Sequence, residues 1–168
     1  VNFPLQDSSE LKGISSFLDL ADNLGVIHRN ISEGPIRSVE INCYGTLDQI
    51  KPISLSFLRS LLQNRVPERV NFINAETIAK ELGIELSINY STSDSNYSNL
   101  ISARVVAKND IIFEGSVFND DLPRLVNLMG YKMEVNLKGT LLFIQNDDVP
   151  GVVGKVGTIL GKNKINIG

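Results

Sequence analysis

GTLLFIQNDDVPGVVGKVGTILGKNKINIG, residues 139–168, is the stretch on which the reading of the fold turns. It divides into an apolar strand TLLFIQN (140–146), a turn DDVPG (147–151), a helical run VVGKVGTILGKN (152–163) and the start of a second strand, INIG (165–168). One strand, one helix and a strand stub bury too little surface to stand alone, so the segment is expected to open a small domain rather than complete one. The turn carries the chemistry. Pro150 suits the first helical position, which leaves the N–H groups of Gly151, Val152 and Val153 pointing out of the helix start, where the dipole favours a carboxylate. Asp148 stands beside them as an acceptor for an ammonium, and donors for a carboxylate next to an acid for an amine suit an α-amino acid. The same spacing also fits a plain helix cap, because Asp is among the preferred N-cap residues.

Gly151, Gly154, Gly157 and Gly161 punctuate this helix. Their spacing is neither the G-x-G-x-x-G of a dinucleotide fold nor a phosphate loop ending in G-K-S or G-K-T. Small residues along one helix stretch instead let another backbone come close, at a cost of about 1 kcal/mol of helix propensity each.

Upstream, apolar residues Leu11, Ile14, Leu18, Ala21, Leu24, Ile27 and Ile31 recur at three- and four-residue steps behind a Ser8 or Ser9 cap, and Gly34-Pro35 stops the helix they predict. Val39, Ile41 and Cys43 alternate with Glu40, Asn42 and Tyr44 as on a half-buried strand. Helical spacing returns from Ser54 to Asn64, and a short helix AETIAKEL follows Asn74 and ends at Gly83. Ile84, Leu86, Ile88 and Tyr90 alternate as a strand. Two hairpins are expected next, Ile101–Ala107 with Ile111–Phe118, then Arg124–Leu128 with Tyr131–Val135 across Met129-Gly130.

The chain has 168 residues, 42% of them hydrophobic and 21% charged, which is enough apolar material for a packed core. A net charge of −3 with scattered Lys and Arg lacks the basic stripe of a nucleic-acid binder, so no nucleic-acid partner is expected. Cys43 is the one cysteine, which excludes an intrachain disulfide and a multi-cysteine metal cage. No apolar run approaches the ~18 residues of a membrane span and the first residues do not read as a signal peptide, so a cytoplasmic protein without a membrane partner is expected. His28 accompanies no nucleophile motif, and Asn119-Asp120-Asp121 lacks the spaced oxygens of a calcium loop, so neither a catalytic residue nor a metal site is assigned.

Taken together, NDDVPGVVGKVGTILGKNKINIG resembles the beginning of an ACT domain, the βαββαβ amino-acid-sensing module. GPIRSVEI (34–41), VNFINAETIAKELGI (70–84), NLISARV (99–105), GSVF (115–118) and LPRLVNLMGYKMEV (122–135) resemble, in this order, the intervening, allosteric substrate-binding domain of long-form bacterial D-3-phosphoglycerate dehydrogenases. The resemblance implies an α+β fold: a mixed sheet with packed helices over residues 1–137, then a truncated ferredoxin-like ACT βα(β) unit over 138–168. It implies a parent enzyme that oxidises 3-phosphoglycerate with NAD on the way to L-serine and is slowed by L-serine bound between paired ACT domains. The fragment itself is expected to do no chemistry and to hold no cofactor, and its expected partners are L-serine or a similar amino acid and further copies of itself.

Carried over by position, the family's serine contacts fall on Asn146, Asp148 and Asn166, with the carboxylate on the N–H groups of Gly151 and Val152. Asn146 departs from the His or Tyr common in the family. The intervening domain's anion site carries over to Arg124, with Asn136 in place of its usual basic partner and Lys132 and Lys138 as nearby substitutes. Two alternatives remain: the sensing region of another amino-acid enzyme, such as an iron-sulfur L-serine dehydratase, or a ligand-free dimerisation module.

Overall fold

The computed structural model describes residues 8–45, 47, 49–92, 96–119, 121–147 and 149–167. They fall into two compact units, Val1–Leu137 and Lys138–Gly168.

The first unit runs α1 (Ser8–Ile31), β1 (Ser38–Gly45), α2 (Ile50–Leu62), α3 (Ala75–Glu81), β2 (Glu85–Ser91), β3 (Asn99–Val106), β4 (Asp110–Phe118), β5 (Leu122–Leu128) and β6 (Tyr131–Asn136). Its six-stranded sheet has the order β2-β1-β3-β4-β5-β6. β1 and β2 are parallel, which their long connection through α2 and α3 permits, and the remaining pairs are antiparallel. The chain is therefore α+β with a mixed sheet, as expected.

The core lies between one sheet face and the helices. Leu20, Ala21, Leu24 and Ile27 of α1 are buried with Phe57, Leu58, Leu61 and Leu62 of α2, above Ile41, Ile101, Phe113 and Leu125 of the sheet. α1 and α2 cross closely at Gly25, where a Cβ would sit 2.5 Å from the Phe57 carbonyl oxygen. Polar contacts lock the same pair: Arg59 and Ser60 of α2 both bond the Asp22 carboxylate, and the Arg59 guanidinium lies 4.8 Å over the Phe72 ring. Beyond α2, Arg65 donates to the carbonyls of Arg29, Ser32 and Gly34, where α1 ends and its last C=O groups lack helical partners.

His28 is fully buried, its ring 4.4 Å from Phe113 and 5.6 Å from Phe57, centroid to centroid. Its Nε2 lies 3.1 Å from the Ala103 carbonyl oxygen, an acceptor, so the neutral ring carries its proton on Nε2. Burial lowers its pKa from 6.5 to about 4, against the smaller opposing effect of that hydrogen bond. Its role is structural. Cys43 is also buried, and desolvation pushes its thiol up to about 12, which leaves it unreactive.

Two expectations are corrected. α2 begins at Ile50, ahead of the expected Ser54, because Pro52 lies in its first turn, where a missing N–H breaks no helical bond. In the second unit the helix forms as α4 (Val152–Lys162), but residues 140–147 and 165–167 adopt neither helix nor strand. A strand exists by hydrogen bonding to a neighbour, and this short unit offers no sheet to join.

Candidate functional site

The amino-acid turn is built from the residues that lead into α4. Gly151 is its N-cap, in the left-handed region at φ 92°, a conformation that a side chain would strain. The helix therefore starts at Val152, and Pro150 precedes the cap instead of occupying the first helical position. Lys155 N–H bonds the Gly151 carbonyl at 3.0 Å, which closes the first turn. Val152 N–H is directed back to the Val149 carbonyl at 3.4 Å, so one of the three expected donors already has a long, weak partner. Asn146 and Asn166 are exposed on either side of the helix in sequence, and Asp148 lies outside the described residues.

No residue of α4 is buried. Gly151, Gly154, Lys155, Thr158 and Ile159 line an open depression along one helix face, at the three- and four-residue spacing that puts them on a single stripe. A Cβ added at Gly154, Gly157 or Gly161 would meet nothing within 4 Å. Among the described residues of this unit no backbone makes the close approach that these glycines were expected to permit. Val153 is 85% exposed and Ile159 60%, so the apolar side of the helix stands open. Beyond α4, Lys164 takes φ 58° and Asn163 bonds back to the Ile159 carbonyl, which ends the helix ahead of Asn166.

In the first unit, Arg124 stands directly opposite Asn136 in the β5–β6 ladder. Its Nη1 donates to the Pro123 carbonyl at 3.2 Å, and its Nε lies 3.9 Å from Glu134. Lys132 pairs with Asn127 at the other end of β6, and Lys138 belongs to the second unit. The fold brings Arg124 and Asn136 together, while Lys132 lies towards the opposite end of the same ladder. Sequence reading missed Glu134, which sits two residues before Asn136 on a strand whose alternation was already recognised. Among the described residues no group of His, Cys, Asp and Glu side chains is placed to hold a metal ion, and no helix is long and apolar enough to cross a membrane.

Comparison with known proteins bears on residues across both units. The model of the D-3-phosphoglycerate dehydrogenase intervening domain matches residues 13–129, that is, α1 through β5. The D-3-phosphoglycerate dehydrogenase of Bacillus subtilis is 32% identical over 170 aligned residues, covering 99% of this chain and 32% of that protein. That of Methanocaldococcus jannaschii is 31% identical, with 99% and 32% covered, and that of Archaeoglobus fulgidus is 28% identical with the same coverage. The chain thus spans about a third of the length of these relatives.

Proposed function

The chain belongs to the family of D-3-phosphoglycerate dehydrogenase intervening domains, and on that footing we propose that it is the regulatory region of an NAD-dependent D-3-phosphoglycerate dehydrogenase of L-serine biosynthesis in the cytoplasm. Residues 1–137 form the intervening domain in this reading, and residues 138–168 open an ACT domain that senses L-serine. NAD belongs to the parent enzyme, whose catalytic part holds it. The observation that carries the reading is that similarity to these dehydrogenases runs through 99% of the chain, including α4 and its turn.

The serine carboxylate sits at the start of α4, on the N–H groups of Gly151 and Val152, where the helix dipole favours an anion. A charge-assisted bond outcompetes the 3.4 Å contact from Val152 N–H to Val149. The amine meets Asp148 and Asn166, with Asn146 alongside. Serine held between two copies of the chain favours one arrangement of subunits over another, and its effect on rate is limited by its differential affinity for the two. Arg124 provides a second, weaker anion contact with Asn136, offset by Glu134; Lys132 and Lys138 supplement it only where assembly brings them near.

A second reading, a ligand-free dimerisation module, draws on the open glycine stripe and the exposed Val153 and Ile159 of α4. One titration separates the two. L-Serine added to the complete enzyme while NADH formation is followed is expected to slow the reaction; no change in either rate or serine binding leaves only the dimerisation reading.

A further inference from the structure

β4 and β5 pair in two blocks offset by one residue. Phe113 and Glu114 stand opposite Leu128 and Asn127, whereas Gly115, Ser116, Val117 and Phe118 stand opposite Leu125, Arg124, Pro123 and Leu122. The extra residue on β5 is Val126, a bulge, and bulges re-aim neighbouring side chains. Leu125 is fully buried and lies opposite Gly115, where a Cβ would meet Leu20 of α1, so this pair faces the helices. Arg124 therefore projects from the other face of the sheet, beside Ser116. Strict alternation from Asn127, which bonds Glu114 on that face, would have turned Arg124 into the core.

Side chains tie the block that carries Arg124 to the centre of the sheet. The regular ladder between β3 and β4 runs from Val106 opposite Asp110 to Ile101 opposite Gly115. Beyond it, the side chain of Asn99, the first residue of β3, takes over. Its Nδ2 donates to the Val117 carbonyl at 2.9 Å, and its Oδ1 accepts from the Val117 N–H at 2.8 Å. The Ser116 hydroxyl donates to the Asn99 carbonyl at 2.8 Å. Both residues are buried, and a satisfied buried polar network holds its members in one arrangement. Val117 stands opposite Pro123, whose carbonyl accepts from the Arg124 guanidinium.

We infer that Asn99 is a positioning residue for Arg124, acting on a bound anion through Val117 and the β4–β5 block rather than by contact. The inference rests on the anion contact proposed above for Arg124. Without the Asn99 amide, the N–H and C=O of Val117 regain partners only if the strands shift, which moves the Arg124 end of β5.

Inorganic phosphate titrated into the 168-residue chain, followed by the amide shifts of β5 and β6, tests this. Asn99→Ala is expected to weaken phosphate binding by roughly two- to tenfold, the equivalent of about one hydrogen bond. Gly25→Ala, which strains the crossing of α1 and α2, is the control for general loosening and is expected to leave the affinity of the folded chain unchanged. Should Asn99→Ala not fold, Ser116→Ala removes one bond of the network and is expected to weaken binding by a smaller factor. Weakening in Arg124→Ala with native affinity in Asn99→Ala, or in Ser116→Ala where that variant stands in for it, overturns the positioning role and leaves the anion contact standing. Equal weakening in Asn99→Ala and Gly25→Ala overturns it as well. Phosphate that binds the native chain and Arg124→Ala alike, or binds neither, overturns both.

Discussion

His28 and Phe113 stack with ring centroids 4.4 Å apart and planes tilted by 50°, which holds the imidazole against the sheet as a neutral, fully buried side chain. Its folded-state pKa of about 4 lies below the 6.5 of an exposed histidine. Between these values the unfolded chain binds a proton that the folded chain refuses. His28 therefore contributes stability that is fully present above pH 6.5 and is lost as the pH falls to 4, by about 3 kcal/mol in total. Urea melts at pH 7 and pH 4.5 are expected to show this loss in the native chain, and a smaller one in His28→Leu. The difference between the two chains removes the contribution of carboxylates that titrate in the same range. Equal losses would show that His28 is not the sensitive group.

Arg65 is a C-terminal cap for α1 supplied from another element, with Nη1 3.1 Å from the Gly34 carbonyl and Nη2 3.2 Å from that of Arg29. Arg65→Ala leaves these carbonyls to water or unpaired, at an expected cost of about 1–3 kcal/mol. Arg65→Lys restores a positive charge at the helix end but lacks the planar fork, and is expected to recover only part of the loss. Denaturant midpoints of the three chains measure the order.

Two glycines in helices should respond oppositely to alanine. At Gly25 the new Cβ would meet the Phe57 carbonyl at 2.5 Å, and backbone cannot yield as a flexible side chain does. Gly25→Ala is expected to destabilise the chain by about 1–3 kcal/mol despite the better helix propensity of alanine. At Gly154 nothing lies within 4 Å, so Gly154→Ala should be neutral or stabilising by up to about 1 kcal/mol in the chain as it stands. If a second copy covers this stripe in the complete enzyme, the same change weakens assembly there, which sedimentation would detect.

Much of this fold was legible because periodicity speaks for itself: α1, β1, α3 with its terminating Gly83, and both hairpins lie where apolar spacing put them. The start of α2 was not, because Pro52 reads as a breaker unless its place in the first turn is known. The strand expected at TLLFIQN failed for a different reason. Local pattern reports which face of a segment is apolar, while a strand also needs a neighbour to take its hydrogen bonds. The site shows the same division. That a helix follows the Pro150-Gly151 turn was readable, but the left-handed cap that shifts the helix start to Val152 was not, and Glu134 was overlooked although its parity with Asn136 was available.

Glu134 lies 3.9 Å from the Arg124 guanidinium and competes with any anion for it. Glu134→Gln is expected to tighten the binding of inorganic phosphate by roughly two- to fivefold, consistent with an exposed pair worth up to about 1 kcal/mol. Arg124→Ala is expected to weaken it. Phosphate titrations followed by NMR shifts of β5 and β6 amides compare the three chains, and identical curves would contradict the proposal that Arg124 binds an anion.

The central claim is that the turn before α4 senses L-serine. Its most direct measurement is calorimetric titration of L-serine into the complete enzyme and into its Asp148→Asn and Asn166→Ala variants. Saturable binding that weakens by about tenfold or more, near 1.4 kcal/mol, in each variant is the predicted result. Absence of binding to the unmodified enzyme, or equal affinity in all three proteins, would contradict it.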